Sequence, residues 1–435
     1  MIIEFTIGNF LSFKERMTLS LEPTAITEHQ SSVFEIGHQK LLKSVVLYGA
    51  NSSGKSNYLK AMSVMKRIIM TSMEKSSVSK NNIKPFLLNS ETRNLPSFFE
   101  IVFLIDKVRY RYGFEIDSEK IHAEWLFVMH GKQKNKEKPL FIRELDGIAV
   151  TELFEEGDGL ESKTRNNALF LSIVDQFNGK VSAQLMKWFN AWRIISGLSH
   201  EHYRSVTYKL LEDSVCKTKL LKFYEDLDLG FNELKVKTEK FDPVMLPNDL
   251  PEEIRNDMIA ELEGESLIKI NTIHKIFDNQ GNPVGTKDFD MRKQESSGTN
   301  KIIDLSGPIF DTILEGGVLV IDELDAKLHP LMTTAITNLF NSDKFNKKNA
   351  QLIFATHDTN LLTYGHFRRD QIYFVEKNNY GSSDLYSLVE YQENGKAIRK
   401  DRSFEKDYIQ GRYGAIPYIG SFEELLVGAR DGKEN

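Results

Sequence analysis

Residues 44–56 read Ser-Val-Val-Leu-Tyr-Gly-Ala-Asn-Ser-Ser-Gly-Lys-Ser. The first five form a short apolar run with two adjacent valines that stops at a glycine, the pattern of a strand buried on both faces. The last eight, Gly49 to Ser56, fit G-x-x-x-x-G-K-S/T. Beyond them Leu59, Met62, Met65, Ile68 and Ile69 recur at helical spacing, which predicts a helix over Ser56–Met70. The motif therefore lies between a strand and a helix, as its chemistry demands. Gly49 and Gly54 let the backbone turn tightly, so that its N–H groups face an anion. The helix directs its positive end at the same point. Lys55 would reach the β- and γ-phosphates of a nucleotide, and the Ser56 hydroxyl would hold Mg²⁺. Ala50, Asn51, Ser52, Ser53 and Asn57 join them as candidate binding residues.

Further motifs follow along the chain in a fixed order. Val318-Leu319-Val320-Ile321-Asp322-Glu323 is an apolar strand ending in two carboxylates. Asp322 suits the shell of a divalent cation, and Glu323 is placed to orient or deprotonate a water. Asp325 comes two residues later and is a candidate contact to a second subunit's site. Ala355-Thr356-His357-Asp358 ends the next strand, where His357 can hydrogen-bond a γ-phosphate oxygen. Glu295-Ser296-Ser297-Gly298-Thr299-Asn300 precedes a helix. Its serines, glycine and helix start make either an anion site or an ordinary helix cap.

Taken together, GANSSGKS, ESSGT, VLVIDELDAKLHP and FATHD resemble the head of an ABC-type ATPase. The signature SSGT and the start IIEFTIGNFLSFKE are closer to its SMC, RecF and OLD branch than to transporters. Within that branch the chain is similar to stand-alone ATPases of prokaryotic anti-phage and abortive-infection systems, of the RloA, AriA and PtuA kind. Thr164–Ser172 (TRNNALFLS) and Gly411–Pro417 (GRYGAIP) carry part of that likeness. The resemblance implies ATP and Mg²⁺ as cofactors, with Lys55 and Ser56 on phosphate and metal. It makes Asp322 the Walker B acid, Glu323 the catalytic base and His357 the switch histidine. Ser297 and Gly298 would act in trans, because in that superfamily ATP is sandwiched between one subunit's loop and another's signature. A homodimer or higher homo-oligomer is implied. No glutamine stands in Ile83–Asn89, near where the family's Q-loop would fall.

The remainder of the chain fits an α/β protein. Ile3, Phe5 and Ile7 alternate with Glu4 and Thr6, and Met17, Leu19 and Leu21 suggest a second strand. Phe98–Asp117 reads as a hairpin turning at Asp106-Lys107, followed by a strand at Ala123–Met129. The basic run 131–138 reads as a solvated loop. Helices are expected at Leu169–Asp175, Ser182–Ile195, Lys217–Asp226 and Glu252–Glu263. The stripe of Leu185, Trp188, Phe189 and Trp192 reads as a packing face. A hairpin is expected about Asn279–Pro283, then helix Asn300–Leu314, strand Val318–Asp322, helix Leu331–Asn341 and strands Gln351–Thr356 and Gln371–Glu376. The expected architecture is a P-loop head of mixed sheet with an antiparallel β subdomain. It divides into an N-terminal half (1–160), an inserted, mainly helical subdomain (161–267) and a C-terminal half (268–435).

Composition bounds the function. Of 435 residues, 56 are Lys or Arg and 62 Asp or Glu, a net charge of 56 − 62 = −6. That balance argues against a surface coated for non-specific nucleic-acid binding. No apolar run reaches the ~18–20 residues of a membrane span. The start lacks a secretory pattern, and the single cysteine, Cys216, fits a reducing cytoplasm. The expected function is an ATP-hydrolysing regulator of a separate effector, such as a nuclease, in anti-phage defence. Nucleic acid is not required as a partner, and no membrane is expected. The alternative is a RecF-like ATPase acting on nucleic acid itself. A transporter motor and a non-hydrolysing scaffold are the weaker readings.

Overall fold

A computed structural model describes residues 1–417 except 75, 77, 132–136, 247–249, 265, 364, 394–395 and 399–401. Most of the basic run 131–138 lies outside the described residues, and so do Pro247, Asn248 and Asp249. The fold is mixed α/β. Its central sheet has the strand order Arg193–Ser196, Val318–Asp322, Gln351–Ala355, Ser44–Tyr48, Ile372–Lys377, Ser383–Ser387. The first five strands are parallel, and Ser383–Ser387 closes the edge antiparallel to its neighbour. Ser44–Tyr48 is buried at all five positions, and so is Gln351–Ala355. Their continuous apolar runs are what a parallel sheet covered on both faces needs.

A second sheet has seven antiparallel strands, running Gly147–Val150, Lys138–Glu144, Ile121–Met129, Val108–Ile116, Ser97–Ile105, Ile2–Gly8, Met17–Ser20. The hairpin between Ser97–Ile105 and Val108–Ile116 turns on Asp106 and Lys107, both at positive φ (49° and 69°). Such a two-residue turn matches the twist of the strands it joins. Helix Lys55–Thr71 lies between the two sheets and buries residues around most of its girth, from Tyr58 and Leu59 to Ile68 and Ile69. Inside it the Tyr58 hydroxyl donates to the Phe5 carbonyl at 2.6 Å and accepts from the Leu19 N–H at 2.9 Å.

The stretch 161–267 is not uniform. Helices Phe170–Gln176 and Lys180–Asn190 bury Phe170, Leu171, Leu185 and Phe189 in the core shared with the two sheets. The aromatic stripe packs as expected, with Trp188 stacked on Phe103 at 4.1 Å. The helix expected to reach Ile195 stops at Asn190, and Arg193–Ser196 is a strand of the central sheet. Helices Arg204–Glu212 and Ser214–Asp226 pack instead with Ser297–Glu315 in the second core. Pro308 sits inside Ser297–Glu315 and cannot donate to the Asp304 carbonyl. The Thr207 hydroxyl takes its place, 3.0 Å from that oxygen. Strands Glu233–Lys240, Ser266–Phe277 and Pro283–Asp290 form a separate three-stranded sheet, and helix Glu252–Leu262, which falls between the first two of them in the chain, buries no residue.

Candidate active site

In a parallel sheet all strands end on one side, and ligands gather outside those carboxyl ends. Here the register carries Ser44–Tyr48 into the loop 49–56, Val318–Asp322 into Glu323, and Gln351–Ala355 into His357. Residues separated by some 300 positions thereby converge. A cavity of about 590 Å³ opens there, lined by Ala50 to Asn57, Glu323, His357 and Lys377.

The loop has the backbone its glycines predict. Gly54 has φ 121°, and a Cβ there would stand 2.4 Å from Ser383 Oγ and 2.8 Å from Ser12 Oγ. A Cβ on Gly49 would meet the Val375 carbonyl at 2.3 Å. Ser383 and Ser12, bonded to each other, tie the loop and the start of its helix to their surroundings. Ser383 Oγ donates to the Ser53 carbonyl at 2.5 Å, the Ser383 N–H donates to the Ser12 carbonyl at 2.7 Å, and Asn57 Nδ2 donates to Ser12 Oγ at 2.9 Å. Lys55 folds back on the loop, donating to the Gly49 carbonyl at 2.7 Å and the Ala50 carbonyl at 3.1 Å. Burial lowers its pKa to about 8, opposed by the charges of Asp322, Asp325 and Glu323. Ser53 Oγ and Asp322 Oδ1 are buried without a hydrogen-bond partner.

Glu323 is held in an unusual conformation. Its φ is 52°, which costs a residue with a side chain about 1–2 kcal/mol. Lys301, fully buried on helix Ser297–Glu315, braces the turn by donating to the carbonyls of Glu323, Leu324 and Ala326 at 3.2, 3.0 and 2.7 Å. Burial also lowers the Lys301 pKa to about 8. From the other side Gly197 lies against the turn. Its N–H donates to the Asp322 carbonyl at 2.7 Å, and a Cβ on it would stand 2.0 Å from the Glu323 carbonyl oxygen.

The Asp325 carboxylate accepts from the His357 backbone N–H at 3.2 Å, so within one chain it fixes the histidine's backbone. Partial burial, and then the Lys55 cation, push the imidazole pKa below its usual value against the pull of the three carboxylates. His357 is therefore neutral near pH 7 and able to donate from one ring nitrogen. Ser297 and Gly298 do not line the cavity. They begin their helix one residue after Ser296, whose hydroxyl accepts from the Thr299 N–H at 3.1 Å, so the cap is real and Ser297 stays exposed. Sequence reasoning missed Ser12, Gly197, Lys301, Lys377 and Ser383. Only Lys377 had a readable signal, its place at the carboxyl end of a strand.

Two features bear on a divalent cation. Asp322, whose Oδ1 is orphaned, is near enough to Lys55 of the loop for their charges to interact, and no group of three or more His, Cys, Asp or Glu placed to hold a metal ion occurs among the described residues. A hydroxyl with one carboxylate fits Mg²⁺, which takes few protein ligands and completes its shell with water and phosphate oxygens.

Residues 44–363 match the protein family described as "AAA domain, putative AbiEii toxin, Type IV TA system". No curated protein matches. Among solved structures, the SMC head domain from Thermotoga maritima is 14% identical over 89% of this chain and 98% of its own, with a TM-score of 0.40. The recombination mediator protein RecF with ATP is 14% identical over 89% and 99%, with a TM-score of 0.28.

Proposed function

The chain belongs to this AAA-domain family, and from that premise we propose that it is an ATPase that hydrolyses ATP between two copies of itself and so controls a separate effector in a prokaryotic defence or toxin–antitoxin system. One observation carries the catalytic part: Lys55, Glu323 and His357 meet on a single cavity at the carboxyl ends of the parallel strands. The sandwich is supported by Ser297, which is exposed and does not line that cavity, and so is open to a second copy's nucleotide. The defence setting rests on the family's description alone.

The loop N–H groups and the helix N-terminus would take the β- and γ-phosphates, and Lys55 would leave its two carbonyls for them. Mg²⁺, held by Ser56 and Asp322, would neutralise charge on the phosphate oxygens. Glu323 would accept a proton from the attacking water as it adds to the γ-phosphorus, and neutral His357 would donate to a γ-oxygen. The bond to the β–γ bridging oxygen then breaks, leaving ADP and phosphate.

Glu323→Gln tests this. It should bind ATP as the parent does and lose about 10²–10⁴-fold in turnover. Parent-like hydrolysis would refute the role of Glu323. Cleavage of nucleic acid by the pure chain would refute the regulator reading and leave the ATPase intact.

A further inference from the structure

The motif Glu295-Ser296-Ser297-Gly298-Thr299 stands outside the cavity, and its first residue has no part in the site as described. Glu295 follows the short helix Met291–Gln294 and precedes Ser296, the cap of helix Ser297–Glu315. Its side chain is only 10% exposed and reaches the three-stranded sheet. There Glu295 Oε1 accepts from the Thr272 hydroxyl at 2.5 Å and from His274 Nε2 at 2.7 Å. Hydrogen bonds to an ionised carboxylate are the strong kind. Thr272 is fully buried, and the His274 ring lies 4.5 Å from that of Phe289. Both donors sit on Ser266–Phe277, the middle strand, whose Ile270 and Ile273 are buried in the second core. The carboxylate is therefore held by a firm support.

The backbone on either side of Glu295 is fixed as well. Asn300 Nδ2 donates to the carbonyls of Met291, Glu295 and Ser296 at 3.2, 3.2 and 3.1 Å. Arg292 donates to Asn300 Oδ1 at 3.0 Å and pairs with the fully buried Asp304 at 2.5 Å. A Cβ on Gly298 would stand 2.9 Å from the Lys327 carbonyl oxygen, so the motif also lies close to the turn that follows Glu323. Ser297 is thus an exposed residue on a backbone that is pinned on several sides, and Glu295, two positions before it, adds the tie to the sheet. Neither residue lines the cavity of its own chain.

We infer that Glu295 is a positioning residue for the reaction of the other copy: held by Thr272 and His274, it sets Ser297 where that serine meets the second copy's ATP. The inference rests on the ATP-sandwich reading. Glu295 touches no substrate; it acts through Ser297.

Glu295→Ala removes the carboxylate, and Glu295→Gln keeps an acceptor oxygen for both donors. Steady-state turnover at saturating ATP and ATP binding are measured for the parent, Glu323→Gln, both Glu295 variants and Thr272→Val/His274→Ala, with thermal melting alongside. Glu295→Ala should lower turnover about tenfold with ATP binding within about twofold of the parent, since a small misplacement acts on the chemical step. Glu295→Gln should recover most of that loss, and Thr272→Val/His274→Ala should reproduce it. Complementation is the deciding readout. Lys55→Ala lacks a working loop and keeps its serine motif. Mixed one to one with Glu295→Ala, it should bring turnover to about a quarter of the parent's, because half the dimers are hybrid and one of their two sites is complete. Ser297→Arg mixed with Lys55→Ala should do the same. A loss passed within one chain, through Lys301 to the Glu323 turn, would not be complemented. Parent-like turnover of Glu295→Ala, or recovery in the Ser297→Arg mixture without recovery in the Glu295→Ala mixture, would overturn the inference alone. Recovery in neither mixture would overturn the sandwich reading and this inference with it. A parent whose turnover does not depend on Glu323 would overturn the proposed hydrolysis mechanism as well.

Discussion

Gly197 offers a probe of how tightly the turn at Glu323, the proposed base, is set. A methyl group there would lie 2.0 Å from the Glu323 carbonyl oxygen and 2.8 Å from both the Glu323 carbonyl carbon and the Asp322 carbonyl oxygen. Real Cβ atoms essentially never come within 3.0 Å of another heavy atom, so something must move by about 1 Å (3.0 less 2.0). The φ of Gly197 lies outside the left-handed region, so alanine is conformationally acceptable and the effect is purely steric. The strand cannot simply retreat. Ser196 is in register with Asp322, and the Gly197 N–H holds the Asp322 carbonyl. The displacement therefore falls on Glu323. A misplacement of about 1 Å costs on the order of 10²-fold in rate, or about 2.7 kcal/mol of transition-state stabilisation. Gly197→Ala should lose that much in kcat while binding ATP within about twofold of the parent, because the phosphate loop is untouched. Steady-state turnover and equilibrium titration with a fluorescent ATP analogue read the two quantities. Turnover within about threefold of the parent would refute the steric reasoning.

Other consequences follow from charge. The lowered Lys55 pKa predicts that ATP affinity falls as pH rises through about 8, because the ammonium that would meet the phosphates loses its proton there. A flat affinity between pH 7 and 9 would contradict it. Lys377→Ala should raise the Kd for ATP roughly fivefold, the effect of about 1 kcal/mol for a solvent-screened cation, with kcat unchanged. An unchanged Kd would remove Lys377 from the site.

Much of the candidate site was legible because its residues sit at punctuation. Glycines with positive φ, two acids at the end of an apolar strand and a histidine at the end of the next are visible without a structure. The turn at Asp106-Lys107 was also readable from the alternation on either side. Arg193–Ser196 was not. Trp192 and Ile195 continue the helical spacing of Leu185 and Trp188, and only pairing with Val318–Asp322, some 125 residues on, makes a strand of those four residues. Ser383–Ser387 has no apolar run, since an edge strand held against the phosphate loop needs hydroxyls more than bulk. The braces of the site, Lys301, Gly197 and Ser12, are ordinary residues in sequence. They gain a role only from contacts made across long stretches of chain.

The most direct test of an ATP sandwich is the mass of Glu323→Gln in solution with and without ATP·Mg²⁺, measured by sedimentation beside the same protein carrying Ser297→Arg. The account predicts that ATP doubles the mass of Glu323→Gln, and that Ser297→Arg abolishes the doubling without abolishing ATP binding. ATP bound at full occupancy with no change in mass, or a doubling that survives Ser297→Arg, would contradict it.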